Sequence, residues 1–266
     1  MTVFVSGITL ASVVSFFANQ AHKERGHAYR LEAQQALRAS LDAITRDLRL
    51  AGACLPSGGQ FLSVTGQELA GGDTITIRTG QVLTNLSCIK PTSLPVAAGD
   101  TVINFSPPNA GEANPTNGMA VGMLVHLEKP ADPGEEMFVN AVAPTSITLS
   151  SATTKAYVAG AGVYPFDERV YALDKTDPVN PLLMLTVNRG TAQAFAVGMT
   201  DLQIQYLLNR NCPTCDVVNA PTTLSDWWLV NEVYITATVK TVGAVKAEDQ
   251  ATIVATTHGK PRNLLP

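Results

Sequence analysis

The chain reads as an α+β protein: one long N-terminal helix, apolar and then amphipathic, followed by a largely antiparallel β-sheet head. Three observations predict this. Residues 1–21 carry no charge, residues 22–52 repeat apolar side chains at helical spacing, and beyond residue 60 the apolar period changes to two. The expected organisation is therefore residues 1–21 as a transmembrane half of the helix, 22–52 as an amphipathic half packing on the head, and 53–266 as a β-rich head.

The opening run, Met1 to Ala21, meets the lower limit for a spanning helix, which needs roughly 20 apolar residues. A cleavable export signal is the rival reading, but it requires a basic segment ahead of the apolar run, and none is present. Val3, Phe4, Gly7, Ile8, Ala11 and Val14 are the residues expected to meet lipid or neighbouring helices. Gly7 and Ala11, four apart, form a small-residue patch that permits close helix approach. From His22 onward the helix continues without proline. Leu37, Leu41, Ile44, Leu48 and Ala51 form one apolar stripe, expected to pack on the head, while Arg38, Asp42 and Arg46 support another face at i, i+4 spacing. Gly52 is the expected stop, with Pro56 and Gly58-Gly59 marking the exit. The whole helix comes to about 50 residues, about 75 Å at 1.5 Å per residue.

The head reads as strands at 74–78, 101–105, 124–127, 138–142, 146–150, 169–173, 182–186, 202–206 and 233–239, separated by Gly-Asp, Pro-Pro-Asn, Pro-Gly and Asn-Arg-Gly turns. Residues 106–120 and 209–226 read as irregular loops. No second long amphipathic helix follows, so a doubly wound parallel sheet is excluded.

Composition narrows the class. The 266 residues are 45% hydrophobic but only 15% charged, against about 25% in ordinary soluble domains, so Thr, Ser, Asn, Gln and Gly must build much of the surface. That suits an extracytoplasmic β-rich protein. A net charge of −4 gives no footprint for nucleic acid. The four cysteines suit an oxidising compartment and allow three pairings. Cys212 and Cys215 are close enough to pair with each other, which would leave Cys54 with Cys88. As a redox pair or half a zinc site, Cys212-Pro-Thr-Cys215 lacks the helix or the further ligands that such chemistry needs.

Nothing in the chain forms a catalytic or cofactor motif, so no enzyme, cofactor or metal is expected. His22 and His27 are five apart and share no helix face; His126 lies in a strand as a surface or satisfied residue, and His258 in the C-terminal tail. Glu135-Glu136 and Asp167-Glu168 are adjacent carboxylates that cannot converge within one strand and are expected to be solvated in loops. Asp174, Asp177 and Asn180 offer oxygen ligands without EF-hand spacing. Trp227-Trp228 is a candidate partner surface, against the plainer reading of one buried ring and one covering an edge.

Several stretches resemble the PilW-like minor pilins of type IV pili. Leu41-Asp-Ala-Ile-Thr-Arg-Asp-Leu-Arg-Leu-Ala-Gly-Ala-Cys54 is similar to that family's helix-end signature, and Asp73 to Arg78 to the strand that follows it. Tyr157 to Tyr164 with Arg169 to Asp174, Val197 to Tyr206, Val233 to Val239 and the Arg262-Asn263 ending resemble its later segments. The resemblance implies a pilin-like fold whose apolar half-helix serves in the filament core. It further implies a single pass through the inner membrane of a Gram-negative bacterium, a periplasmic head, and display on a pilus or the cell surface after assembly. The implied role is priming or capping a pilus, with other major and minor pilins and the inner-membrane assembly platform as partners. A minor pseudopilin of type II secretion shares this plan, and a secreted adhesin or glycan-binding β-protein is the alternative of another class. The family's basic leader, its Gly at the cut and its early acidic residue are missing, since no Asp or Glu precedes Glu24. Arg46-Asp-Leu-Arg49 also stands one to two turns early. A start at a Met already inside the mature helix is therefore expected, with an in-frame leader ending in Gly upstream.

Overall fold

The computed structural model describes residues 2–56, 61–83, 87–106, 114–129, 132–208, 216–241 and 251–261, with the side chains of residues 2–12 and 132–133 outside the description. Helix α1 spans Thr2–Leu50. It ends where the pattern predicts: Gly52 takes a left-handed conformation (φ 78°), and its N–H bonds the Arg78 carbonyl at 3.0 Å. Among the described residues, no helix is long and apolar enough to cross a membrane.

The strands are β1 (Val64–Gln67), β2 (Thr74–Gly80), β3 (Lys90–Pro91), β4 (Val102–Asn104), β5 (Leu124–Lys129), β6 (Asp132–Ala143), β7 (Ser146–Leu149), β8 (Gly162–Asp174), β9 (Leu182–Val187), β10 (Gln193–Val197), β11 (Met199–Leu208), β12 (Asp216–Val218), β13 (Val230–Lys240) and β14 (Thr252–Gly259). A five-residue helix, α2 (Leu224–Trp228), precedes β13.

One sheet holds ten strands in the order β1-β2-β8-β5-β6-β7-β4, with β3 and β9 also on β8 and β10 on β9. The second has the order β12-β11-β13-β14. Each recorded pairing is antiparallel. Strand β8 is the spine of the large sheet. Its first half pairs β3 and β5 (Lys90↔Val163, Leu124↔Phe166), and its second half pairs β2 and β9 (Ile75↔Tyr171, Leu173↔Leu183).

The largest core lies under the C-terminal half of α1. Ala33, Leu37, Leu41, Ile44 and Leu48 are buried with Ile75, Ile77 and Tyr171 of the large sheet and Leu202, Ile204, Val233 and Ile235 of the small one. A second cluster gathers Ile103, Val125, Leu127, Val139, Ile147 and Val163 of β4 to β8, and a smaller one joins Leu55 and Phe61 to Leu124 of β5 and Phe166 of β8.

Residues 209–226 are not wholly irregular, because β12 and α2 form within them. Thr223 accepts from the Asp226 N–H and Asp226 returns a bond to the Thr223 N–H, a capping box that starts α2. The strand of His126 does not alternate either: Leu124, Val125, His126 and Leu127 are all buried, since both faces of β5 are covered.

Candidate functional site

The feature that most needs a partner is the N-terminal half of α1. Val13, Val14, Phe16 and Phe17 are 50–64% exposed, and the buried helical stripe begins only at Ala33. Of the residues expected to meet lipid or other helices, Val14 is thus exposed. Val3, Phe4, Gly7, Ile8 and Ala11 lie in helical backbone with side chains outside the described residues.

The other half of α1 is fastened by packing and by one charged anchor. Leu37, Leu41, Ile44 and Leu48 are buried, with Ile44 and Leu48 at zero exposure. Beside Leu48, Gly259 brings β14 so close that a Cβ there would fall 2.9 Å from the Leu48 Cβ. Asp47 is buried and accepts from Arg169 Nη1 and from the Tyr171 hydroxyl, both at 2.7 Å. The bond to Asp47 raises the Arg169 pKa, and burial followed by the same carboxylate raises that of Tyr171. Where the helix leaves the head, a groove of about 500 Å³ runs between Tyr29, Glu32, Ala33 and Ala36 on one side and Phe195 and Lys240 on the other.

A second fastening follows the end of α1. Cys54 and Cys88 form a disulfide with Cα atoms 4.9 Å apart, pinning the segment after α1 to the loop ahead of β3. Cys212 and Cys215 lie outside the described residues. Beyond Cys54, the segment is held through Arg78. Its backbone N–H bonds the Ser63 carbonyl at 2.8 Å, its Nη1 donates to the Leu62 carbonyl at 3.0 Å, and its guanidinium sits 5.4 Å from the Phe61 ring.

The adjacent carboxylates do not behave as solvated loop residues, because each pair lies in a strand and sends one member into this site. Glu168 takes Arg78 Nε at 2.8 Å and Arg189 Nε at 3.0 Å; Glu136 bonds Arg189 Nη2 and lies 3.6 Å from Arg78 Nη1. Burial would raise the Glu168 pKa, but the bonds from Arg189 and Arg78 outweigh it and hold the carboxyl below its usual range. Asn188 and Arg189 occupy the two central positions of a tight turn with positive φ (50° and 57°), which swings Arg189 back over Glu168. Glu135, on the other face, accepts from Thr154, Lys155 and Tyr157 and orders that loop.

His126 lies under this network, its ring 4.5 Å from that of Phe61 and packed over Gly134. Its Nδ1 has no hydrogen-bond partner among the described residues. Burial first, then the charges of Arg78 and Lys155, push its pKa down to about 4, so it is neutral at ordinary pH.

The remaining sequence candidates do not converge. Trp227 is buried against Tyr206, with centroids 4.9 Å apart, while Trp228 is 37% exposed, so the tandem presents one ring rather than two. Asp174 and Asp177 accept from Thr176 and from Val179 and Asn180 in self-contained turns. His22 and His27 are exposed on α1. His258 is in strand β14 rather than a tail, with Nε2 3.5 Å from Glu232. Among the described residues no three His, Cys, Asp or Glu are grouped to hold a metal ion.

No family model and no curated protein matches the chain. Among solved structures it is similar to a type IV-like pilin from Thermus thermophilus, at 8% identity over 87% of this chain and 97% of that one, with a TM-score of 0.37. A score that low does not define a shared fold.

Proposed function

We propose that the chain is a minor pilin-like subunit of the PilW type, which works by assembly rather than catalysis and helps prime or cap a type IV pilus. The observation that carries this is the division of α1. One half is buried in an antiparallel head, and the other, beginning in a run of 21 uncharged residues, leaves the head with Phe16 and Phe17 more than 60% exposed. Apolar side chains are held in that state only if lipid or other helices cover them. Before assembly the projecting half would sit in the inner membrane, with the head in the periplasm. On assembly it would pass into a bundle of helices from other major and minor pilins, supplied through the inner-membrane platform. The contact is then head-to-tail and does not close, which is what a filament requires. The motif order from Leu41 to Asn263 points to the PilW-like type.

In-cell photocrosslinking from position Leu10, followed by detergent extraction, tests this. Recovery of pilin-like subunits and platform proteins is expected. A soluble species cut near Ala21 and crosslinked to nothing would overturn the proposal and leave a secreted head.

A further inference from the structure

Between the exposed phenylalanines and Ala33, the first buried apolar side chain, α1 carries a second pattern. Its residues run His22-Lys-Glu-Arg-Gly-His-Ala-Tyr-Arg30. Lys23, Arg25 and Arg30 against Glu24 give this stretch +2, so the rest of a chain of net −4 carries −6. The lysine and arginines are solvent-exposed, as are both histidines, and Tyr29 is half-buried at the neck.

The arrangement around the helix identifies what it faces. At 3.6 residues per turn, Lys23 and Arg25 stand about 200° apart, on opposite sides of the axis. The stretch is therefore a positive ring, unlike the one-sided stripe of a helix lying flat on a surface. Along the axis, Lys23 and Arg25 come about 9 and 12 Å beyond Phe17 at 1.5 Å per residue. A bilayer's headgroup layer is about 5–8 Å deep on each side of its hydrocarbon core. With Phe16 and Phe17 at the hydrocarbon edge, the Lys23 and Arg25 backbones lie just outside that layer, and their long stems, which lean toward the helix N-terminus, bring both charges back into it.

We propose that Lys23 and Arg25 form a belt that binds the headgroups of anionic phospholipids and so fixes how far the head stands off the membrane. This rests on the membrane-anchored reading above. The belt is cationic on a chain that is otherwise acidic, so an anionic surface attracts it while repelling the head.

The test is the full chain reconstituted in vesicles of phosphatidylcholine and phosphatidylglycerol, with trace spin-labelled lipid of either kind. Immobilisation of phosphatidylglycerol over phosphatidylcholine by about fivefold is expected, equivalent to one basic residue at a charged surface. In Lys23→Gln/Arg25→Gln the preference should vanish, whereas Arg46→Gln/Arg49→Gln, exposed but beside the head, should keep it. Equal immobilisation of both lipids overturns the belt while leaving the membrane anchor intact. If Lys23→Gln/Arg25→Gln then also blocked filament entry, the ring would belong to a protein partner. A preference that survives that variant also overturns the assignment to these residues. Protein that immobilises neither lipid and stays in the supernatant overturns the anchored reading itself.

Discussion

Two of the three buried clusters, the one under α1 and the one around Phe61, are built on opposite principles. The one under α1 is apolar almost throughout: Leu37, Leu41, Ile44 and Leu48 meet Ile75, Ile77, Leu202, Ile204, Val233 and Ile235, with Asp47 on Arg169 and Tyr171, and Asp73 on the Ile204 N–H, as buried acidic anchors. The one around Phe61 mixes Phe61, Leu124 and Phe166 with Arg78, Glu168, Arg189 and His126. An apolar core tolerates small losses in proportion to volume removed, whereas a core of paired charges fails sharply when one partner goes. The disulfide joins Cys54, next to Leu55 of the Phe61 cluster, to Cys88.

That contrast has measurable consequences. The largest should come from Glu168→Ala, which removes the most buried carboxylate between Arg78 and Arg189 and leaves them to share the half-open Glu136; a loss of about 3 to 4 kcal/mol is expected. Urea unfolding of the oxidised protein checks it, and a loss below 1 kcal/mol would mean that solvent already screens the cluster. Leu48→Ala should cost about 3 kcal/mol by the volume it empties beside Gly259, and thermal unfolding would show it.

His126 sharpens the comparison through pH. Its folded pKa of about 4 lies below the ordinary value of 6.5, so between those values the unfolded chain binds the extra proton. Stability should therefore fall as pH drops from 6.5 toward 4, by about 3 kcal/mol over the full window. In His126→Leu that part of the acid limb should flatten; an unchanged limb would place the titration elsewhere. Asp47→Ala should cost about 2 kcal/mol, less than the Glu168 change because Arg169 is 39% exposed and can turn to water. A double-mutant cycle with Tyr171→Phe measures the coupling.

The smallest effect on the head should follow Phe16→Ala/Phe17→Ala. Neither ring touches a core, so head unfolding should shift by less than about 0.5 kcal/mol. Membrane retention or filament entry should suffer instead. A large loss of head stability would show that the projecting half folds back onto the head.

Much of the fold was legible in the chain, and the exceptions share a cause. The steps from Leu37 to Leu48 and the Gly52 stop marked the helix, because an α-helix closes its hydrogen bonds locally and its buried face repeats every turn. Nine strand segments announced themselves by alternation or apolar runs. Missed were β1, β3 and β12, of four residues or fewer, and β10, which is mostly exposed and so has no apolar face. Also missed were β14, whose inner face of Ile253, Ala255, Thr257 and Gly259 is for the most part only half-buried, and the first half of β8, broken in sequence by Pro165. The Thr223–Asp226 capping box was a readable signal for α2, but five residues are too few to show a period.

The candidate site divides in the same way. The uncharged run, the helical stripe and the basic stretch at residues 22–30 are properties of consecutive residues, and the sequence determined them alone. The convergence of Glu136 and Glu168 on Arg189, the burial of His126 and Trp227, and the pairing of Cys54 with Cys88 join positions far apart in the chain. Only the register of β8 against β2 and β5, and the turn at Asn188-Arg189, bring those groups within reach. Charge pairs and buried rings depend on distances of a few ångströms in space, and the tertiary structure alone decided them.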